Sequence, residues 1–243
     1  RISRIKRIFF IFSKSILYIQ DAFLFLQQIK QKFMCNFWNN LFRKNKSSVS
    51  TEDNPMKKFL IVGLGNIGAE YAKTRHNIGF TILDFLAHKQ DVNFETRKLG
   101  DVAIFKIKGR TFILLKPSTY MNLSGKSVVY WLTKEKIPIE NLLIVTDDLN
   151  LPLGSLRLKV RGSDGGHNGL KDIQDKLNTT KYNRFRFGIS DEFSKGRQVD
   201  YVLGEWTDEE ISKINERLEK TAELITSFGL AGVNTTMNTF NGK

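Results

Sequence analysis

Between residues 58 and 228, apolar runs of strand length alternate with stretches of helical periodicity, and this alternation constrains the fold more than any other feature. Thr207, followed by three acidic residues, is a typical N-cap for the last helix. The predicted strands are 58–63, 101–107, 111–116, 141–146, 155–160 and 184–189, and the predicted helices are 75–89, 124–135, 167–177 and 208–228. The second and third strands are close enough to form a hairpin. A hairpin within an alternating order predicts a single α/β domain over residues 56–243, with a mixed twisted sheet and helices on both faces.

The first 55 residues differ from the rest, because they are basic and crowded with phenylalanine. Lys14 and Asp21 interrupt their apolar run before the roughly 20 residues that a bilayer span needs, so neither a span nor a signal peptide is expected. One interpretation is a basic amphipathic segment that lies on a membrane or on RNA. The other is sequence upstream of a true start at Met34 or Met56. We expect residues 1–55 to be a basic N-terminal extension and polar linker, partly untranslated or disordered.

The formal net charge of the chain is +13, which makes an anionic partner worth considering. Residues 1–55 hold ten Lys and Arg against three Asp and Glu, a net +7, which leaves +6 for residues 56–243. The domain is therefore moderately basic, and nucleic acid is a hypothesis for its partner. Cys35 is the single cysteine, so the chain can form neither an internal disulfide nor a thiolate metal cluster. A reducing cytoplasm is the expected location.

Residues 63–68 have the G-x-G-x-x-G spacing of a dinucleotide-binding turn. In that fold, a helix begins at the glycines and the second strand ends in an acidic residue about 20 positions later. Here the nearest helix start is Thr74, and residues 91–100 are too polar to predict a second strand. We therefore favour a tight turn that presents Asn66, and a nicotinamide oxidoreductase is the weakest functional alternative.

Polar side chains concentrate in short stretches that follow predicted strands or open predicted helices, where α/β proteins place their sites. These stretches are 65–71, 74–79, 117–127, 145–152 and 163–172. They hold histidines, aspartates and several asparagines, a set that can deprotonate water and stabilise an oxyanion without a metal.

His76 is the candidate base of this set. It follows Thr74 at the start of a predicted helix, where the helix dipole is expected to lower its pKa and keep it neutral; the alternative is an ordinary surface histidine. Asp147 could orient an imidazole or cap a turn. His167 is expected to have a structural or substrate-positioning role, and His88 to be solvated at a helix end. Since no serine lies in a nucleophile elbow and no residues have metal-ligand spacing, water is the expected nucleophile, with no metal or cofactor.

Four ordered motifs closely resemble bacterial peptidyl-tRNA hydrolase: IVGLGNIGAEYAKTRHNIG, KPSTYMNLSGKSV, DDLNLPLGSLRLK and GSDGGHNGLKDI. The resemblance spans residues 57–243 and implies a monomeric, single-domain α/β fold. It implies hydrolysis of the ester between a nascent peptide and the 3′ ribose of tRNA, which recycles tRNA after premature drop-off. The implied partner is the acceptor stem and peptide of peptidyl-tRNA. A cytoplasmic enzyme is implied, with no stable protein partner, no cofactor and no membrane contact for residues 56–243.

The resemblance also implies roles for individual residues. His76 matches the base that takes a proton from water, and Asp147 matches the carboxylate that orients this base and raises its basicity. The implied substrate-binding residues are Asn66 near the scissile bond, Asn122 and Asn168 on the peptide backbone, and Met121 and Tyr71 along the site. Amide side chains suit this task, because each presents a donor and an acceptor to an uncharged peptide.

The tRNA-binding positions of the resembled family fall on Arg157, Lys159 and Arg186, with Arg184 nearby. Alternate residues of a strand face the same side, so each strand can offer a pair of charges to phosphates. The alternative is a solvated strand face without a ligand.

Two positions depart from the family pattern. Ile67 replaces a proline in the glycine turn, and Asp164 stands where some members have a second histidine. Both bear on the rigidity of their loops rather than on the predicted base. A non-catalytic RNA-binding protein on the same fold is the main alternative function, although phosphate binding alone would not require His76, Asp147 and Asn66.

Overall fold

The computed structural model describes residues 57–242, and the expectations for residues 1–55 and for the starting methionine lie outside this range. Seven strands of the described chain form one sheet in the order β2-β3-β4-β1-β5-β7-β6. Their bounds are β1 Lys58–Gly63, β2 Glu95–Arg97, β3 Gly100–Ile107, β4 Arg110–Pro117, β5 Leu142–Asp148, β6 Leu156–Lys159 and β7 Asn183–Gly188. The central strands β4, β1, β5 and β7 run parallel, while β2, β3 and β6 are antiparallel to their neighbours. The predicted mixed sheet is confirmed.

Six α-helices of the described chain surround the sheet. They are α1 Ile78–Lys89, α2 Ser124–Glu135, α3 Asn168–Leu177, α4 Gln198–Val202, α5 Asp208–Ala231 and α6 Val233–Phe240. Apolar residues of α1, α5 and α6 share one core cluster with Phe59 and Ile61 of β1. Residues of α2 and α3 share the other cluster with Leu60 and Val62. Successive β1 side chains therefore enter cores on opposite faces, and the predicted helices on both faces are confirmed.

The predicted elements agree with the structure except near their ends. Each of the six predicted strands is present, and the hairpin of β3 and β4 turns through Lys108 and Gly109, both with positive φ as a two-residue turn requires. Helix α2 matches its prediction, and α5 continues three residues beyond 228. Thr207 caps α5 in a capping box with Glu210, as the acidic first turn indicates.

One strand and two α-helices of the described chain were missed, and each lacks the pattern that would reveal it. Strand β2 is exposed at all three positions of a sheet edge, so it has no apolar alternation. Helix α4 has only five residues. Helix α6 is rich in threonine and asparagine, which have low helix propensity. It is held instead by Phe240 in the core and by Asn241, whose amide exchanges two hydrogen bonds with the backbone of Leu158.

The glycine turn lets β1 approach α1 very closely. A Cβ on Gly63 would collide with the carbonyl group of Gly79, so the strand and the helix start meet backbone to backbone. Helix α1 begins only at Ile78, far beyond the glycines, which agrees with the prediction that this turn is not a dinucleotide site. Within residues 57–242, no helix combines the length and the apolar character that crossing a bilayer would require.

Candidate active site

A cleft of about 910 Å³ opens where the parallel strands end. Six of the residues singled out in the sequence for catalysis or substrate binding line it: Asn66, His76, Met121, Asn122, Asp147 and Asn168. Tyr71 packs edge-on against Tyr120 of the lining, with ring centroids 6.5 Å apart. The fold thus gathers residues that are up to about a hundred positions apart in the chain, because carboxyl ends of parallel strands meet at one edge of the sheet.

His76 and Asp147 form a hydrogen-bonded pair at the centre of the cleft. The Nδ1 atom of His76 lies 2.9 Å from Oδ2 of Asp147, whose residue is only 4% exposed. Because a carboxylate can only accept, Nδ1 carries the proton and donates it. The lone pair of the imidazole is then on Nε2. This is the tautomer that a general base facing the cleft requires.

His167 fixes the other oxygen of the same carboxylate. Its Nδ1 accepts from the backbone N–H groups of Gly169 and Leu170 at 3.1 and 3.3 Å, so His167 is the N-cap of α3. This contact requires the proton to be on Nε2, which lies 3.0 Å from Oδ1 of Asp147 and 2.8 Å from Oγ1 of Thr146. Asp147 therefore accepts one hydrogen bond on each oxygen. The predicted structural or positioning role of His167 remains a prediction that this geometry supports.

The electrostatics of the pair favour a charged carboxylate. Burial alone would raise the pKa of Asp147. The charge of His76 and the hydrogen bonds from both imidazoles outweigh this effect, so the pKa of Asp147 lies well below its ordinary range. Burial also lowers the pKa of His76, but the charge of Asp147 and its hydrogen bond reverse this, so the pKa of His76 is raised above 6.5. The prediction that a helix dipole lowers this pKa is wrong. His76 lies in a 3₁₀ turn at 75–77 rather than in the α-helix, and Asp147 dominates.

Asn66 is held by a network that leaves its amide nitrogen available. Its side-chain oxygen accepts from the backbone N–H of Met121 at 2.8 Å. Its own backbone N–H and C=O bond to the side chain of Asn77 at 2.8 and 3.0 Å. With the oxygen engaged, Nδ2 of Asn66 is the group that can donate into the cleft. The role of Asn77 was missed, because the sequence shows only that it follows His76.

The predicted tRNA-binding residues lie on one face of the sheet. In the antiparallel pairing of β6 and β7, Arg157 is opposite Arg186 and Lys159 is opposite Arg184. Arg157 and Lys159 are exposed. Arg186 is half-buried and forms an ion pair with Asp148 through Nε. Lys159 and Arg186 line the cleft, and Arg157 is exposed on the same face of the sheet but lines a separate pocket.

Arg184 does not fit the expected phosphate contact. It is only 3% exposed. Its guanidinium donates to the backbone carbonyls of Gly162, Ser163 and Thr180. The alternation of residues along β7 correctly predicted the face of the sheet on which Arg184 lies. However, residues 162–163 fold over its side chain. Arg184 thus shapes the loop that leads to His167 and does not reach the surface as a free cation.

Comparison with known proteins identifies the family. A sequence model described as peptidyl-tRNA hydrolase matches residues 60–243. The chain belongs to the peptidyl-tRNA hydrolase family. It is 56% identical over 186 residues to peptidyl-tRNA hydrolase of Phocaeicola vulgatus, covering 76% of this chain and 100% of that protein. It is 44% identical over 183 residues to the Bacillus cereus enzyme, covering 75% and 98%. The crystal structure of the Acinetobacter baumannii enzyme is 37% identical, with a TM-score of 0.72 over 77% of this chain and 96% of that one.

The two departures from the peptidyl-tRNA hydrolase pattern differ in their surroundings. Asp164 accepts a hydrogen bond from the backbone N–H of Gly166 at 2.9 Å, and its own carbonyl accepts from His167 at 3.2 Å. It therefore stiffens the turn that precedes His167. Ile67 is 39% exposed beside Asn66, whose backbone is already held by Asn77. Rigidity in this turn thus comes from hydrogen bonds rather than from a proline ring.

Three residues of the candidate active site are close enough to one another to hold a metal ion. Ligand atoms of His76, Asp147 and His167 all lie within 4.8 Å of one another, a cluster that the sequence spacing did not indicate. However, Nε2 of His167 carries a proton as long as Nδ1 caps α3, and a protonated nitrogen cannot ligate. The observed hydrogen bonds suit proton transfer better than metal binding.

Proposed function

We propose that this chain hydrolyses the ester bond that joins a peptide to the 3′ ribose of tRNA, with a water molecule activated by His76. The observation that carries the proposal is the pairing of Asp147 with two imidazoles, which sets the tautomer of His76 and leaves its Nε2 lone pair for the cleft. Phosphate binding alone would need neither this tautomer nor a buried carboxylate.

In the proposed reaction, Nε2 of His76 takes a proton from water as the water oxygen attacks the ester carbonyl carbon. Asp147 stabilises the imidazolium that forms. The carbonyl oxygen becomes an oxyanion, and Nδ2 of Asn66 is available to donate to it. When the C–O bond to the ribose breaks, the imidazolium returns the proton to the ribose oxygen. The products are a free 3′ end and a peptide carboxylic acid, which loses its proton to solvent and becomes a carboxylate.

Two further groups would hold the substrate. Asn122 and Asn168 line the cleft and would pair with the peptide backbone. Met121 of the lining and Tyr71, which packs on Tyr120 of the lining, would contact the substrate along the site. Arg157, Lys159 and Arg186 would contact phosphates of the acceptor stem, because their charges share one face of the sheet and two of them line the cleft. We further propose that the protein acts as a cytoplasmic monomer without a cofactor or a stable protein partner, recycling tRNA after premature drop-off.

Release of an N-acylated amino acid from its tRNA, measured with the purified full chain, tests this function. Reaction in ¹⁸O-labelled water should place one label in the released carboxylate, because attack occurs at the carbonyl carbon. An N-acyl amino acid esterified to a simple alcohol serves as the control that lacks tRNA, and it should react far more slowly. Salt-sensitive tRNA binding without any release would instead support the non-catalytic RNA-binding alternative.

A further inference from the structure

Arg75, the residue before the proposed base, is a buried cation that no step above uses. It is 8% exposed, in the same 3₁₀ turn as His76. Its Nη1 donates to the carbonyl of Glu205 at 2.8 Å and to that of Tyr201 at 3.4 Å. Its Nη2 lies 2.7 Å from Oε2 of Glu210. A single guanidinium thus contacts three positions between the end of α4 and the first turn of α5.

Aromatic rings and backbone bonds complete this anchor. The guanidinium carbon lies 4.4 Å from the ring centroid of Tyr201 and 5.2 Å from that of Trp206. The backbone N–H of Arg75 donates to the carbonyl of Gly204 at 3.0 Å, and Thr74 forms an isolated bridge with Glu205. The chain from 201 to 210 is therefore wrapped around Arg75 on several sides.

The anchored segment is also a wall of the cleft. Gln198, Val199, Val202 and Leu203 of α4 and its C-terminal end line the same cavity as His76. Tyr201, which packs on Arg75, donates its hydroxyl to the carbonyl of Ile189 at 2.7 Å. A shift of Arg75 would therefore change the distance between the base and this wall of the cleft.

Stability alone does not account for such a residue. The desolvation of a buried ion pair offsets most of its attraction, so replacing both partners by apolar residues of similar size is often neutral, whereas removing one partner leaves the other charge unpaired. A lysine could replace the charge but not the planar fork, which reaches two carbonyls and a carboxylate at once while stacking on rings. The contacts of Arg75 therefore depend on the planar shape of its guanidinium as well as on its charge.

We propose that Arg75 is a positioning residue that holds His76 in register with the α4 wall of the cleft. The proposal rests on the proposed function, because it concerns the orientation of the same base. Arg75 touches neither water nor substrate in this account. It acts through the short turn that it shares with His76.

The test compares the full chain with Arg75→Lys at a temperature where circular dichroism shows both to be folded. We expect kcat for release of an N-acylated amino acid from tRNA to fall by about tenfold to a hundredfold, since small misplacements of a base have effects of this size. KM should change by less than about threefold, because tRNA phosphates supply most of the binding. A kcat within twofold of the parent would overturn the proposal.

A second pair of variants covers the case in which Arg75→Lys does not fold. Glu210→Gln weakens the contact to Arg75, whereas Thr207→Ala weakens the same helix start without touching Arg75. We expect kcat to fall several-fold in Glu210→Gln and to stay at the parent value in Thr207→Ala. Equal kcat values in the two variants would contradict the proposal.

A substrate-free readout separates this proposal from the proposed function. Nδ1 of His76 lies 2.9 Å from Asp147, so its proton should give a downfield signal in ¹⁵N-histidine-labelled protein. We expect this signal to shift or broaden in Glu210→Gln but not in Thr207→Ala. If the parent releases no amino acid, the proposed function fails and this signal alone decides on Arg75. An unchanged signal in Glu210→Gln would then overturn the positioning role.

Discussion

The hairpin of β3 and β4 and the cleft at the ends of β1 and β5 belong to one sheet, but they bury opposite kinds of side chain. In the hairpin, Phe105 stacks on Phe112 with ring centroids 4.9 Å apart, and none of the buried polar residues of the described chain falls within 100–117. At the cleft, Asn66 and Asp147 of the lining and Asn77, which holds Asn66, are all less than 10% exposed.

The two regions therefore have different roles in one domain: the hairpin contributes stability and the cleft contributes the groups for chemistry. Burial of apolar rings in the hairpin stabilises the fold directly. Burial of polar groups in the cleft costs free energy unless each group is hydrogen-bonded, and there the side chains bond to one another and to backbone groups. We therefore expect substitutions in the cleft to change the rate of the reaction and substitutions in the hairpin to change the free energy of unfolding.

The largest effect is expected for His76→Ala. Without the proposed base, kcat should fall by ~10⁴-fold or more, by analogy with removal of a triad histidine. The dissociation constant for tRNA should change less than about twofold, because no phosphate contact is lost. His88→Ala, an exposed histidine late in α1, is the matched control and should keep the parent kcat. Retention of most of the rate by His76→Ala would exclude it as the base.

Asp147→Asn should have the next largest effect, a fall in kcat of ~10²–10⁴-fold. Asp147 accepts from both imidazoles, and an amide offers only one acceptor oxygen. Either His76 reverses its tautomer or His167 loses its place as the cap of α3. Steady-state release assays measure the loss, and Asp164→Asn, which changes another aspartate of the cleft lining, should stay within about threefold of the parent. A similar rate in both variants would refute the role of Asp147.

Phe112→Ala tests the opposite region. Loss of a fully buried ring should lower the free energy of unfolding by about 3–5 kcal/mol, measured by urea denaturation. The kcat of the protein that remains folded should match the parent, because the hairpin is remote from the polar network. A large fall in kcat at temperatures where the variant is folded would mean that hairpin and cleft are coupled.

Lys159→Ala should have the smallest effect, and it concerns binding only. Loss of one phosphate contact should reduce the slope of log affinity for tRNA against log salt by about one unit, with kcat unchanged. Lys106→Ala, an exposed lysine of the hairpin strand β3, is the control and should leave the slope as in the parent. The interpretation would be wrong if the two variants gave equal slopes.

The sequence predicted the parts of this fold that local patterns encode. The run from Phe59 to Val62 is buried on both faces, so it is apolar at every position and easily recognised. Strand β2 carries no such signal, because all of its side chains are exposed. The direction of the pKa shift of His76 could not be predicted from neighbouring residues either, because it depends on a carboxylate 71 residues away in the chain.

In the candidate active site, too, local motifs could be recognised in the sequence but long-range contacts could not. The motifs indicated His76, Asp147 and Asn66, but not how they are held. Asn77 contacts Asn66 across a turn, and Arg75 reaches Glu210, 135 residues later. The alternation of residues in β7 predicted which face of the sheet its arginines occupy, but it did not predict the loop that covers Arg184. Such contacts depend on how distant segments of the chain pack together, and this packing produces no periodic pattern in the sequence.

The dependence of kcat/KM on pH, measured for the parent and for Asp147→Asn, tests the central claim most directly. Activity requires neutral His76, so the rate should fall as the pH drops through the pKa of this residue in the free enzyme. Since Asp147 raises that pKa, the parent midpoint should lie above 6.5, and it should move to lower pH in Asp147→Asn, where burial remains but the negative charge is gone. A parent midpoint at or below 6.5, or a midpoint that does not move in the variant, would contradict a histidine base tuned by this carboxylate.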